Sequence, residues 1–221
     1  MSQTELNVIH SQSQSAILAT NKVLRNTYLL LALTLAFSAI TAALSFNAPP
    51  LGSPWLFLLG AYGLLFLTHA LKNSAWGLLS TFGFTGFIGY SLGPLIGYLM
   101  TNSSETVLTA LGGTAFIFFG LSGYALASRK DFSFLRGFIV AGALVLIAAI
   151  IISLLISMPA LNLAMSVAFM LFSSAVILYQ TGEIIHGGEQ NYILATITLY
   201  VSIYNIFMSL LHLLMAFTGD D

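Results

Sequence analysis

The stretch YILATITLYVSIYNIFMSLLHLLMAF, residues 192–217, decides the fold of this chain. It contains 26 residues and no Lys, Arg, Asp or Glu. About 20 apolar residues, each adding about 1.5 Å of helix, cross the hydrocarbon core of a bilayer. The stretch is therefore long and apolar enough to form a membrane-spanning helix.

One face of this predicted helix is polar. Its members recur at steps of four and three residues: Thr198, Ser202, Asn205, Ser209 and His212. Hydrocarbon offers no partner for hydrogen-bonding groups, so a polar face is costly against lipid. We therefore expect this helix to lie in the centre of a bundle. The polar face either joins neighbouring helices through hydrogen bonds or lines a path for protons or ions.

Composition indicates an all-α polytopic membrane protein. Hydrophobic residues make up 58% of the chain and charged residues 6%, and the mean hydropathy is +0.96. A water-soluble globular protein carries about 25% charged residues. The net charge of -1 gives no basic surface for nucleic acid. Because the chain has no Cys, disulfides, Cys-ligated metals and thiol nucleophiles are excluded.

Seven apolar runs predict seven transmembrane helices. They cover residues 26–46, 55–71, 76–100, 106–128, 134–156, 160–180 and 192–217. Residues 1–24, rich in Ser, Gln and Asn, have too little apolar surface to fold alone. We predict that residues 1–24 form a flexible cytoplasmic tail and that residues 25–221 form the seven-helix transmembrane domain.

The basic residues predict the orientation of the chain. With seven crossings, all six fall on one side of the membrane: Lys22, Arg25, Lys72, Arg129, Lys130 and Arg136. Glu105, Asp220 and Asp221 fall on the other side. Lys and Arg are enriched in cytoplasmic loops. The N-terminus is therefore predicted to be cytoplasmic and the C-terminus to lie outside.

Two further patterns concern helix packing. Gly89, Gly93 and Gly97 recur every four residues, which allows another helix backbone to approach closely, and Pro94 is expected to kink this helix. The sixth run carries its own polar face, formed by Asn162, Ser166, Ser173, Gln180 and Glu183. We expect the polar faces of the sixth and seventh helices to form a hydrogen-bonded seam that opens towards the cytoplasm near Gln180, Glu183 and His186. Gly187 is expected to end the sixth helix in a left-handed conformation.

No motif indicates catalysis or a cofactor. Glu183 and His186 have the Glu-x-x-His spacing of di-iron bundles, but those sites need a second copy and two more carboxylates. His69 and His212 lie near predicted helix ends, where we expect interfacial hydrogen bonds. No nucleophile, base and oxyanion hole come together in the sequence. We therefore predict a protein that is not an enzyme and that has no metal or cofactor site.

Three segments resemble the Bax inhibitor-1 family, also called the transmembrane Bax inhibitor motif family. They are GLLSTFGFTGFIGYSLGPLIG (77–97), GGTAFIFF (112–119), and YQTGEIIHGG (179–188) followed by LYVSIYNIF (199–207). KVLRNTYLLLALTLAFSAITA (22–42) is similar to the YccA-type branch of Gram-negative inner membranes. The resemblance implies a bundle in which six helices surround the seventh.

The resemblance also bears on ion conduction. The family's pH-gated calcium leak depends on two Asp residues, one in the sixth helix and one in the seventh. At the matching positions this chain has Gln180 and Ser202. An amide and a hydroxyl cannot share and release a proton as two close carboxylates do. Glu183 is the nearby titratable residue, and Asn205 is a further candidate position in a pore.

The YccA-type branch resembles proteins that associate with FtsH, a membrane-anchored AAA protease, and with its HflK–HflC companions. The resemblance implies engagement through a cytoplasmic N-terminal tail, a role that residues 1–24 fit. We therefore expect a non-enzymatic inner-membrane protein that binds and modulates FtsH. The alternative is a pH-sensitive calcium or proton leak through the bundle.

Overall fold

A computed structural model describes the backbone of residues 3–156 and 158–218. Side chains are described in these ranges except at residues 3–17, 54 and 154. The predicted outer position of Asp220 and Asp221 lies outside the described residues.

Seven α-helices make up the described ranges, as the apolar runs predict. They are α1 (Gln3–Leu44), α2 (Pro54–Leu71), α3 (Ala75–Asn102), α4 (Ser104–Ser128), α5 (Leu135–Leu155), α6 (Pro159–Ile185) and α7 (Tyr192–Thr218). Five segments are long and apolar enough to cross a membrane: 18–44, 104–128, 135–153, 159–185 and 192–218. The apolar part of α2 is shorter, at 55–71. Helix α3 has 28 residues. Its glycines, serines and threonines lower its mean hydropathy, and it is not among these five segments.

Helix α1 begins much earlier than the sequence analysis expects. It is continuous over 42 residues from Gln3, so it is about 63 Å long at 1.5 Å per residue. A hydrocarbon core is about 30 Å thick. Extending an existing helix avoids the cost of nucleation, which explains why a polar segment continues the helix of the span. Whether residues 1–24 are mobile, and on which side of the membrane they lie, stay predictions.

Helix α7 is the centre of the bundle, as predicted. In its span 56% of the residues are buried, against 6% to 33% in the other four long spans. It packs against α1, α3, α4 and α6. Helix α2 packs mainly on α3, and α5 packs on α6. The expectation that six helices surround the seventh is therefore corrected: four do so, and α2 and α5 form an outer layer.

The glycine repeat of α3 lies against α1. A Cβ atom at Gly89 would overlap the Ser38 carbonyl oxygen, and one at Gly93 would overlap Ser45 Oγ. Gly97 faces the backbone of Phe46 in the same way. Ser45 Oγ also donates a hydrogen bond to the Tyr90 carbonyl oxygen at 2.8 Å. The two backbones approach closely because these α3 positions have no side chain, and α3 remains helical through Pro94.

Candidate functional site

The polar face of α7 is partly buried in the bundle. Ser202 and Ser209 are 3% and 4% exposed, Thr198 and Asn205 are half-buried, and His212 is exposed. On α6, Ser166, Ser173 and Gln180 are buried, whereas Glu183 is half-buried and Asn162 is exposed. Polar side chains from both helices thus reach the bundle interior, but not along the whole of either face.

The predicted hydrogen-bonded seam between α6 and α7 is wrong. Among the described residues, no side-chain hydrogen bond joins the two helices. Ser202 Oγ donates to the Thr198 carbonyl oxygen at 2.8 Å, and Ser166 Oγ donates to the Asn162 carbonyl oxygen at 3.1 Å. A serine hydroxyl in a helix reaches the carbonyl four residues earlier on its own helix without any partner helix, and this local bond replaces the bond between helices.

Four buried polar atoms have no hydrogen-bond partner in the described part of the chain. They are Thr27 Oγ1, Ser122 Oγ, Ser173 Oγ and Gln180 Nε2. Buried polar atoms without a partner are uncommon in native proteins, because each costs about 1–3 kcal/mol. Two of the four, Ser173 and Gln180, lie on the polar face of α6. The interior at α6 therefore has hydrogen-bonding capacity that the described chain does not use.

The side chains of α7 bond to α1 and α3. Tyr200 Oη lies 2.7 Å from Ser38 Oγ and donates to the Thr85 carbonyl oxygen at 3.2 Å. Thr196 Oγ1 donates to the Thr27 carbonyl oxygen at 3.2 Å. The sequence analysis missed these links because Tyr200 and Thr196 lie off the polar face that it identified.

Phe132 packs beside Gly182 near the α6–α7 turn, where an opening is expected from the sequence. Phe132, in the turn between α4 and α5, is 6% exposed. A Cβ atom at Gly182 would lie 3.1 Å from its ring. Gln180 and Thr181, next to Gly182, are buried as well. Gln180 is therefore shielded from the exterior, whereas Glu183 is half-buried and His186 is exposed, and the cytoplasmic opening stays a prediction. A lone aromatic residue in a turn gives no periodic signal in sequence.

Asp131 shapes the same turn. Its carboxylate accepts a hydrogen bond from the Ser133 backbone N–H at 2.8 Å. The backbone and side-chain hydrogen bonds from Ser133 hold the pKa of Asp131 below its usual value, with a smaller contribution from the nearby His186. The turn that presents Phe132 is thus ordered by its own polar groups.

The end of α6 has the predicted glycine stop. Gly187 has a φ of 76°, in the left-handed region. The Gly187 N–H donates to the Ile184 carbonyl oxygen at 3.2 Å, and the Gly188 N–H donates to the Glu183 carbonyl oxygen at 2.8 Å. These two bonds define a Schellman motif. Three residues later, Asn191 Oδ1 accepts bonds from the first N–H groups of α7, at 3.0 and 3.2 Å. The turn between α6 and α7 is therefore held at both ends.

The first described side chains of α1 lie beside this turn. A cavity of about 560 Å³ separates them, lined on one side by Thr20, Lys22 and Asn26 and on the other by His186 and Glu189, among others. Thr20 is close to Gly187. The segment that precedes the α1 span therefore leaves the bundle next to the α6–α7 turn.

The other end of the α6–α7 pair, near the start of α6 and the end of α7, lies far from the turn and contains a second cavity. This cavity of about 370 Å³ is lined by Asn162, Met165, Ser166, Phe169, Asn205, Met208, Ser209 and His212. The interfacial hydrogen bond expected for His212 is not formed with any described residue; His212 lines this cavity instead. Of the four candidate pore positions, Asn205 lies here, whereas Gln180 and Glu183 lie near the turn. Ser202 lies between them on α7.

No group of three or more His, Cys, Asp and Glu residues within the described ranges is arranged to hold a metal ion. Gln180 and Ser202, at the positions where the resemblance implies two Asp residues, are both buried. No hydrogen bond joins them, since Ser202 bonds within α7. The side chains at these two positions are therefore neutral and do not contact each other through a hydrogen bond.

Comparisons with known proteins agree with this architecture. The profile of the family described as "Inhibitor of apoptosis-promoting Bax1" matches residues 20–219. An uncharacterized protein of Pseudomonas aeruginosa is 56% identical over 90% of this chain and 91% of its own length. The Escherichia coli protein named "Modulator of FtsH protease YccA" is 51% identical over 94% of this chain and 95% of its own length. A Vibrio cholerae membrane protein is 40% identical over 96% of both chains. The chain belongs to the Bax inhibitor-1 family.

Proposed function

We propose that this chain is a non-enzymatic inner-membrane modulator of the FtsH protease. The observation that carries the proposal is the 51% identity, over 94% of the chain, to the Escherichia coli protein named modulator of FtsH protease. A protein of another Escherichia coli strain, also 51% identical over 94% of this chain, is named "Inner membrane protein YccA".

Two structural features support this role. Helix α1 spans 42 residues from Gln3, about twice the roughly 20 residues that cross a hydrocarbon core. Its apolar run begins at residue 26, so the polar segment before that run extends beyond the bilayer. Behind it, α1 is held to α3 by the glycine contact and to α7 by the bonds of Tyr200 and Thr196. An accessible end on a tightly packed body suits a protein that a protease engages but extracts slowly.

The test is to produce the chain in Escherichia coli that lacks its own YccA. We expect it to co-purify with a proteolytically inactive FtsH, together with HflK–HflC. We also expect the half-life of a membrane protein degraded by FtsH to lengthen. A membrane protein of similar length from outside the family, made at the same level, is the control. The proposal would be refuted if the chain failed to co-purify with FtsH and also left the half-life of the FtsH substrate unchanged.

The orientation is part of the proposal. We infer a cytoplasmic N-terminus and an outer C-terminus from the six basic residues, which all fall on one side. The chain has no Cys, so single cysteines report accessibility without background labelling. Asn102→Cys, at the last residue of α3, is expected to react with a membrane-impermeant maleimide in intact cells. Asn73→Cys, in the α2–α3 turn, is expected to react only after the cells have been lysed. The opposite pattern would invert the orientation.

A second candidate function is a calcium or proton leak. The unpartnered Ser173 Oγ and Gln180 Nε2 inside the bundle favour it, whereas the neutral residues at the latch positions oppose it. Purified protein in liposomes is expected to give no pH-dependent flux above empty liposomes, beside a di-aspartyl family member as positive control. A clear flux that Glu183→Gln or Asn205→Leu alters would place the leak first.

A further inference from the structure

The cavity between α6 and α7 is lined by methionine and histidine side chains, which are potential metal ligands, together with polar side chains and Phe169. Met165 comes from α6, and Met208 and His212 come from α7. Met208 and His212 are four residues apart on the same helix, so their side chains project from one face. Both methionines are half-buried and His212 is exposed. The three side chains line one cavity of about 370 Å³.

The remaining lining is uncharged and combines Phe169 with four polar side chains. Asn162 and Ser166 contribute from α6, and Asn205 and Ser209 from α7. These amides and hydroxyls can hydrogen-bond water beside the methionines. Among the described residues, no carboxylate lines the cavity. Hard cations such as Ca²⁺ and Mg²⁺, which bind through carboxylate and carbonyl oxygens, therefore lack their usual ligands here.

Two thioethers and an imidazole are the ligand set of a soft cation. Methionine sulfur is polarisable and uncharged, and thioether ligands select Cu⁺ among the biological metals. We propose that the α6–α7 cavity is a binding site for a soft monovalent cation, Cu⁺ or its analogue Ag⁺, ligated by Met165, Met208 and His212. This revises the expectation of no metal site, which considered His, Cys and carboxylates but not methionine. The site is separate from Gln180 and Glu183, which lie at the other end of α6.

The composition of the chain makes the proposal easy to test. The chain has no Cys, four His and seven Met, so no thiolate competes for a soft metal. The full-length protein, with its affinity tag removed, is placed in lipid nanodiscs in chloride-free buffer and titrated with Ag⁺, which has no redox chemistry under these conditions. Methionine methyl groups labelled with ¹³C report the ligands directly. We expect the signals of Met165 and Met208 to shift and to saturate at one equivalent of Ag⁺.

Four variants assign the ligands. Met165→Leu, Met208→Leu and His212→Gln are each expected to weaken Ag⁺ binding about tenfold or more, since even a ligand's outer partners are worth about 10–100-fold in metal affinity. Met170→Leu is the matched control: it lies on the same helix as Met165 but is not among the residues that line this cavity, and we expect wild-type affinity. Ca²⁺ in excess is expected to leave the methyl signals unchanged.

Two results would overturn the proposal. One is a wild-type titration in which no methionine signal saturates at one equivalent of Ag⁺. The other is wild-type affinity in the Met208→Leu variant. The wild-type spectrum decides the question even if a variant fails to fold. Its outcome does not depend on FtsH, so failure here leaves the proposed function unaffected.

Discussion

Deleting residues 2–16 is expected to abolish engagement of this chain by FtsH and to leave the seven-helix bundle folded. An ATP-driven protease that pulls on its substrate needs a terminal segment that extends beyond the bilayer. The apolar run of α1 begins at residue 26, so the deletion removes polar residues before this run and keeps the run itself. It also keeps Thr20, Lys22 and Asn26, which line the cavity at the α6–α7 turn.

The measurement is capture by inactive FtsH, compared between the full-length and deleted chains at equal membrane levels. A matched control replaces residues 2–16 by a Gly/Ser segment of the same length, which is flexible and uncharged. If FtsH captures this control, engagement requires only a terminal segment of sufficient length. If FtsH does not capture it, FtsH recognises the sequence or the helix of the natural segment. Undiminished capture of the deleted chain would show that engagement occurs through the bundle.

Folding of the deleted chain is checked separately. Its helix content by circular dichroism and its resistance to protease in detergent are expected to match those of the full-length protein. The hydrogen bonds that hold α1 to α7, at Thr27 and Ser38, lie beyond the deleted residues and are kept. A deleted chain that is lost from the membrane would instead mean that residues 2–16 contribute to insertion or stability.

The helical architecture could be predicted because each span has a strong local signal. Apolar runs marked six of the seven helices to within a few residues, and the start of α1 was the exception. The polar face of α7 correctly predicted a central helix, because polar side chains on a membrane-spanning helix must face protein or water. Gly187 was likewise predictable, since a glycine after an apolar run ends helices in a known way.

The contacts between helices were harder to predict. The repeat of Gly89, Gly93 and Gly97 indicated a close neighbour but not which helix it was; α1 can be identified only from the fold. The seam between α6 and α7 was wrong because Ser166 and Ser202 satisfy their hydroxyls on their own helices. Phe132 packs beside Gly182 near the turn, and Met165 and Met208 line the same cavity only because α6 and α7 are antiparallel neighbours. These features depend on pairs of residues far apart in sequence.

The second prediction with a large effect concerns the contact between α3 and α1. Gly93→Ala is expected to lower the free energy of unfolding by about 1–3 kcal/mol, the usual cost of adding a methyl group to a closely packed site. The new methyl would overlap Ser45 Oγ and the Ala42 carbonyl oxygen. Ser45 cannot turn away without loss, since its hydroxyl bonds to the Tyr90 carbonyl oxygen at 2.8 Å. The Ala42 carbonyl belongs to the helix backbone, so α1 itself would have to move.

A matched control separates packing from helix propensity. Ala favours a helix over Gly by about 1 kcal/mol, which opposes the loss at Gly93. At Gly120 in α4, a Cβ atom would meet nothing within 4 Å. Gly120→Ala is therefore expected to be neutral or slightly stabilising. Unfolding of both variants is followed in mixed detergent and SDS micelles. Equal stability of the two variants would contradict the packing argument.

The Gly93→Ala variant also tests why this chain would modulate the protease rather than be degraded as an ordinary substrate. If tight packing of the bundle makes the chain a slow substrate, loosening α1 from α3 lowers the barrier to extraction, because α1 is the helix that follows the engaged end. Gly93→Ala should then be degraded faster by active FtsH and should protect other FtsH substrates less, whereas Gly120→Ala should behave as wild type. Capture by inactive FtsH should be the same for both, since neither change alters residues 2–16. Faster degradation together with unchanged capture would separate engagement by the terminal segment from resistance of the bundle, two properties that binding alone cannot distinguish.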